Sequence, residues 1–261
     1  MESSRNAARC FEWEFMKDQV VIVTGGGSGI GRAAAIQFAQ AGANVAIVGR
    51  RIASLEETAR ASDRIYPICA DVVSEEDIAR VVESTVRRWG RINVLVNNAG
   101  AFAQSPLESV DARMISSLFA TNVLSPSLLT KAAIPFLKEM HGAIVNVSST
   151  FGHKAAAIIS HYAASKAAME HLTRCWALEL AVDRIRVNAV APGPTESEIL
   201  VRSSLSAAEV EQIKADEAER VPLGRRGTPD EVAAWILKLA DPTANWMTGQ
   251  VIAIDGGLSI A

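Results

Sequence analysis

Residues 20–42 read VVIVTGGGSGIGRAAAIQFAQAG. The first five, Val20 to Thr24, are an apolar, β-branched run too short for a helix and bounded at once by glycines, which reads as a buried strand. Gly25 to Gly31 supply a turn. The alanine-rich pattern that follows is helical until Gly42, a residue suited to the left-handed position beyond a helix end. The strand does not alternate between apolar and polar residues. It must therefore be covered on both faces, as in a parallel sheet flanked by helices.

The strand-then-helix alternation continues outward. NVAIVG (44–49), RIYPICA (64–70), NVLVNNAG (93–100), GAIVNVSS (142–149), IRVNAVAP (185–192) and GQVIAID (249–255) read as further strands. SLEETARA (54–61) is helical. So is SEEDIARVVESTVRRWG (74–90), with Ser74 as N-cap and Glu76 and Asp77 in its first turn. A long helical pattern covers about 108–139, and HYAASKAAMEHLTRCWALELA (161–181) is another. The expected architecture is a single doubly wound α/β domain over 17–261, with a parallel sheet of about seven strands and helices on both faces. Residues 1–16 read as an N-terminal extension; the alternative is an ordered arm packed through Phe11, Trp13 and Phe15. Residues 193–227, polar and charge-rich after a strand, form a candidate substrate lid, a solvated helical excursion being the alternative.

With 261 residues, 49% of them hydrophobic, the chain can bury a substantial core. A net charge of −3 with no basic run argues against nucleic acid and membrane surfaces as partners. The N-terminus lacks a signal-peptide apolar core, and no stretch is long and apolar enough to span a bilayer, so a cytoplasmic location is expected. Cys10, Cys69 and Cys175 fit neither a disulfide framework nor a zinc spacing, and no metal site is expected. Cys69 and Cys175 read as buried, inert thiols in a reducing compartment.

A glycine loop between strand and helix is where a dinucleotide pyrophosphate meets backbone N–H groups and the positive end of a helix dipole. Gly25, Gly29 and Gly31 would allow close approach, with Ser28 and Ile30 between them. No Lys-Ser/Thr pair follows, so this is not a P-loop. The second strand ends in VGRR: Gly49 stands where an acid would bind the ribose 2′-hydroxyl of NAD, and Arg50 and Arg51 follow. Two guanidiniums and no carboxylate favour the 2′-phosphate of NADP, with NAD as the alternative.

The ordered set TGGGSGIG (24–31), DV (71–72), NNAG (97–100), Asn122 in ATNV, NVSS, YAASK (162–166), PGP (192–194) and DGG (255–257) resembles the short-chain dehydrogenase/reductase family from about Lys17 onward. The resemblance implies a Rossmann domain, an NAD(P)-dependent oxidoreductase and a homotetramer. It implies catalytic roles for Ser149, Tyr162, Lys166 and Asn122, the last holding a proton-relay water. It also implies that Asp71 and Val72 contact the adenine and that Asn98, Ala99 and Gly100 line the cofactor. Pro192, Gly193 and Thr195 would cover the nicotinamide, and Tyr162 and Lys166 would touch the cofactor as well. Three features depart from the pattern: Ser28 where NADP users often carry a basic residue, His153 and Lys154 in the loop after Ser149, and His161 beside Tyr162. His161 should point about a quarter-turn from the tyrosine, towards a surface or interface.

The chemistry can be argued from the residues themselves. Tyr162 and Lys166, four apart, share one helix face. Carbonyl reduction needs a hydride donor, a proton donor and a group that fixes the carbonyl. A lysine ammonium one turn away, with an oxidised nicotinamide, should lower the phenol pKa, and the Ser149 hydroxyl should hold the substrate oxygen. The tyrosine helix is apolar over most of its surface, from Ala163 to Leu180, which indicates burial on more than one side and a subunit interface.

The expected substrate is a small carbonyl compound or secondary alcohol, the alternative being 3-oxoacyl-(acyl-carrier-protein) reductase. An acidic carrier protein needs a basic rim. Lys138 and Lys154 would serve that, whereas Met140, Asp183, Glu196 and an acid-rich lid would not. A non-catalytic nucleotide-binding regulator is the reading of a different class.

Overall fold

The computed structural model describes residues 16–196 and 206–261. Its sheet runs β3-β2-β1-β4-β5-β6-β7, every pairing parallel. The strands are β1 (Val20–Thr24), β2 (Asn44–Gly49), β3 (Ile65–Cys69), β4 (Val94–Asn97), β5 (Ala143–Val147), β6 (Arg186–Pro192) and β7 (Val251–Ile254). Helices α1 (Gly29–Gln40), α2 (Ile52–Ala59) and α3 (Glu75–Trp89) follow the first three strands. Next come α4 (Ala112–Phe119), α5 (Ser125–Met140), α6 (Ser160–Leu180), α7 (Ala207–Arg220) and α8 (Pro229–Ala240).

Period-two geometry divides β1 between two cores. Val21 and Val23 join Phe38, Ile236 and Val145 on the α1/α8 face. Ile22 joins Leu95, Leu129, Leu137 and Ile144 on the face covered by α3, α5 and α6. Ser74 caps α3 by accepting from the Asp77 N–H, and Gly42 adopts φ +89 beyond α1. The order reverses between β1 and β4, so the connections leaving their carboxyl ends diverge and open the crevice where ligands bind in such sheets.

Four expectations need correction. Met16, assigned to the extension, is fully buried in the α1/α8 core, so the domain begins at or before it. Residues 1–15, with Cys10 and the aromatic arm, lie outside the described residues. Cys69 and Cys175 are exposed, one at the end of an edge strand and one on the outer face of α6. The long helix expected near 108–139 is interrupted: a π-helical turn, Ala120–Leu124, joins α4 to α5. Finally, Lys138, Met140 and Asp183 are not rim residues. Helices α5 and α6 run antiparallel to the strands, so their last turns sit at the amino ends of the strands, away from the crevice. Lys138 pairs there with Asp183 at 2.9 Å, and Met140 lines a cavity of about 1050 Å³ on that side.

Candidate active site

The glycine loop is built to bring backbone close to a ligand. Gly25 and Gly29 take φ +68 and +52. The Gly25 and Gly26 N–H groups donate to Val48 O at 2.8 and 3.3 Å, anchoring the loop to β2. A Cβ on Gly31 would stand 2.4 Å from Gly25 O, so that position admits only glycine. Ser28 is the N-cap of α1 and makes no side-chain cap bond, which leaves the helix N-terminus open to an anion. A dinucleotide pyrophosphate fits this cradle.

Thr24, the first residue of the glycine motif but given no role by it, joins the loop to the end of β4. Its hydroxyl accepts from the Asn98 and Ala99 N–H groups at 3.0 and 2.9 Å, and the Asn98 amide donates to Thr24 O at 2.8 Å. The expected cofactor-lining residues 98–100 are thereby fixed beside the glycine loop. Asp71 holds its own turn, its carboxylate accepting from the Val73 N–H at 3.2 Å, and leaves Val72 half-buried. Arg50 and Arg51 are exposed at the end of β2, and neither is ion-paired among the described residues. Arg32, nearby on α1, is by contrast committed to Glu57 at 3.1 Å and to Gly27 O.

Asn122 enters from the π turn, a distortion that recurs at functional positions. Its amide exchanges two hydrogen bonds with Ala101, at 2.8 and 2.9 Å, and donates to Ser165 Oγ at 2.9 Å. Both N–H donors and one lone pair are thus engaged; a water would be held by the second lone pair or by the backbone carbonyl. A Cβ on Gly100 would lie 3.4 Å from both Asn122 Oδ1 and Lys166 Nζ, so these two groups converge beneath one glycine.

On α6 the Lys166 ammonium is buried and donates to Val147 O at 2.9 Å. Desolvation pulls its pKa down to about 8. Its Nζ lies 5.9 Å from the centre of the Tyr162 ring, and the Phe102 ring meets that ring edge-on at 4.9 Å. Burial pushes the Tyr162 phenol above its ordinary value, and a hydrogen bond with the Ser149 hydroxyl partly opposes this. The expected lowering by Lys166 is therefore not produced by the protein groups alone, because desolvation of the phenol outweighs the lowering hydrogen bond from Ser149. Ser149 caps a short 3₁₀ turn, Thr150–Gly152, accepting from Phe151 N–H at 3.3 Å. His161 is half-buried and bonds to Ser160, one position round the helix from the tyrosine.

The far wall is the segment after β6. Gly193 N–H donates to Ile254 O, and a Cβ on Gly193 would come within 2.7 Å of Asp255 Cβ. Thr195 pairs with Gly227, and Arg226 draws Thr195 O, Glu196 and Glu217 together. Glu196 and Glu217 of the lid region are thus ion-paired. Of that region, 197–205 lie outside the described residues. Phe102, exposed and edge-on to Tyr162, gives the mouth an apolar side. Among the described residues no metal-ligating cluster occurs, and no helix is long and apolar enough to cross a membrane.

The sequence over residues 25–259 matches the family described as "Enoyl-(Acyl carrier protein) reductase". An uncharacterized oxidoreductase of Mycobacterium tuberculosis is 36% identical over 250 residues, covering 94% of this chain and 93% of its own. A 3-oxoacyl-[acyl-carrier-protein] reductase of Thermotoga maritima is 37% identical, covering 94% and 99%. Among solved structures, a short-chain dehydrogenase/reductase of unknown function from Caenorhabditis elegans, crystallised with cofactor, superimposes with a TM-score of 0.89 at 34% identity, covering 95% of this chain and 97% of that one.

Proposed function

This chain belongs to the short-chain dehydrogenase/reductase family and is an NAD(P)-dependent oxidoreductase of carbonyl or CH–OH groups; within that activity we propose that it is an NADP-preferring reductase of a small carbonyl compound with an apolar flank. The observation that carries this reading is a chain of contacts: Ser149 hydrogen-bonds Tyr162, Lys166 Nζ lies 5.9 Å from the centre of the tyrosine ring, and Lys166 and Asn122 meet at Gly100. The nicotinamide, when bound, supplies the hydride. Ser149 Oγ holds the substrate oxygen. Tyr162, protonated at neutral pH because burial raises its pKa, donates the proton to the developing alkoxide. Lys166 places a positive charge beneath the phenol and reaches the ribose hydroxyls. Asn122, with Ala101 and Ser165, holds the route by which the tyrosine is reprotonated.

The pyrophosphate would be held by the uncapped N-terminus of α1, from Gly25 through Ser28, Gly29 and Ile30 to Gly31. Asp71 and Val72 would contact the adenine, and residues 98–100 would line the cofactor. Pro192, Gly193 and Thr195 would cover the nicotinamide, with residues 193–227 as the lid. The preference for NADP rests on Arg50 and Arg51, exposed and free to pair with a 2′-phosphate. Arg50→Ala should lower kcat/KM for NADPH by about ten- to a hundredfold, the worth of one charge-assisted contact, while changing that for NADH by less than about threefold. An unaltered ratio, or a wild-type enzyme that favours NADH, refutes the preference.

Phe102 beside Tyr162 supports the apolar flank. With Lys138 and Asp183 removed from the rim, Lys154 is the one basic residue left from the carrier-protein argument, and it is bonded to Leu258 O. Initial rates with NADPH over aliphatic and aromatic aldehydes, ketones, aldoses and acetoacetyl thioesters test the reading. Best turnover of the acyl-carrier-protein-linked thioester makes it a 3-oxoacyl reductase. Dinucleotide binding without turnover of any carbonyl or alcohol makes it a nucleotide-binding regulator.

The homotetramer belongs to the same proposal. Leu178 on the outer face of α6 and Val182 in the turn just after it, 83% and 85% exposed, present apolar surface that a second copy would cover. A concentration-independent monomer in light scattering refutes it. A cytoplasmic location, consistent with the free thiols of Cys69 and Cys175, completes the reading.

A further inference from the structure

Glu170 lies on the face of α6 that carries Tyr162 and Lys166. The three residues are four apart, so each is displaced by only about 40° from the last. The reaction proposed above uses the first two and leaves Glu170 idle, although its carboxylate is 97% removed from solvent, at 3% exposure. A buried carboxylate is tolerated only where it is paired and hydrogen-bonded, so its partners are informative.

Glu170 Oε1 accepts from Ser148 Oγ at 3.0 Å and meets His153 Nδ1 at 2.9 Å. These partners stand on either side of Ser149, one at the end of β5 and the other just past the 3₁₀ turn. A single carboxylate oxygen therefore bridges both ends of the turn that Ser149 begins. The turn can approach because residue 152 is glycine, where a Cβ would lie 2.3 Å from the same oxygen. Ser148 Oγ also lies 3.2 Å from Lys166 O, tying the strand end to the backbone of the lysine itself. The Ser149 hydroxyl has only the 3.3 Å contact with Phe151 N–H to hold it within its own turn. On the outer flank, Thr150 bonds Asp255 and Lys154 bonds Leu258 O. His153, which departs from the family pattern, supplies one arm of the bridge.

Resting on the reading that Ser149 holds the substrate oxygen, we propose that Glu170 and His153 are positioning residues: the Ser148–Glu170–His153 bridge locks the Ser149 turn onto the helix that carries Tyr162 and Lys166. The distance between the group that orients the carbonyl and the group that protonates it is then set through α6.

Kinetics with NADPH and acetoacetyl-coenzyme A, or the fastest carbonyl of the panel above, test this. Glu170→Ala should lower kcat by about a hundredfold, the scale of a 1 Å misplacement, with KM and NADPH Kd within about threefold. Glu170→Gln retains an acceptor for Ser148 and a partner for His153, and should recover most of the loss. In a Ser149→Ala background, Glu170→Ala should cost nothing further, because its effect passes through that serine. Amide exchange should rise in residues 149–154 and stay unchanged in the glycine loop. Additive losses in the double variant overturn the proposal, as does a rise in NADPH Kd that parallels the loss of kcat. If Glu170→Ala does not fold, His153→Ala, whose side chain is already 34% exposed, carries the same cycle. Full turnover by Ser149→Ala alone refutes the serine reading on which the proposal rests. An inactive Ser149→Ala with an unimpaired Glu170→Ala refutes only the bridge.

Discussion

Replacing Tyr162 with phenylalanine should abolish measurable turnover, lowering kcat by about a thousandfold or more, the usual worth of a positioned proton donor. NADPH affinity should stay within about threefold, since one hydrogen bond to the cofactor is the most that is lost. Phenylalanine keeps the edge-on contact with Phe102 and removes only the hydroxyl. The protein environment also sets the direction of pH dependence. Burial holds the phenol above its ordinary pKa, so at neutral pH it is a proton donor, as carbonyl reduction requires. Alcohol oxidation needs the phenolate, so its rate should climb with pH in the wild type. Turnover by Tyr162→Phe within about tenfold of wild type, far from the loss expected of a missing acid, would displace the tyrosine from the mechanism.

Lys166→Met should lose activity and yet alter stability in a direction that an ordinary core substitution would not. Lys166 titrates near 8 in the fold against 10.5 for a free lysine, because burial disfavours its charge. Below 8 both folded and unfolded chains carry the proton, and the fold bears the full desolvation penalty. Between 8 and 10.5 the unfolded chain binds the extra proton, so wild-type stability rises with pH across that window. The shift corresponds to about 3 kcal/mol, fully realised above the unfolded value. Methionine does not titrate, so the wild type should gain about that much on the variant between the two limits. Urea unfolding of both proteins at the two ends of the window measures it, and a constant gap refutes the buried charge. A stabilising loss of function near neutrality would mark Lys166 as a residue kept for chemistry at the expense of the fold.

The strands were legible because each is a short, mostly apolar run with β-branched residues that soon gives way to polar or turn-forming residues, and the α3 cap because Ser74 and Asp77 are three residues apart. Tyr162 and Lys166 were legible because helix periodicity alone puts them on one face, and Ser149 and Asn122 came from the spaced motif set. Glu170 shares the same four-residue period, but its spacing does not distinguish a solvated glutamate from a buried one. Only the approach of Gly152 and the β5 strand end closes it off from water. Thr24 looked like the last residue of a strand, and its clasp on residues 98 and 99 joins segments 74 and 75 positions apart. The rim argument failed for a related reason: the sense of α5 and α6 carries Lys138 and Asp183 to the opposite edge of the sheet, which the positions of these residues in the sequence do not reveal.

The sequence by itself determined the parallel sheet, the glycine cradle and the tyrosine–lysine pair, since these depend on periodicity and steric allowance within a few residues. The tertiary structure decided which charges are buried, and so that Tyr162 is raised and Lys166 lowered, that Met16 belongs to the core, and that one glutamate braces the serine turn. Desolvation and long-range hydrogen bonds arise only when distant segments meet, and no local pattern records which segments those are.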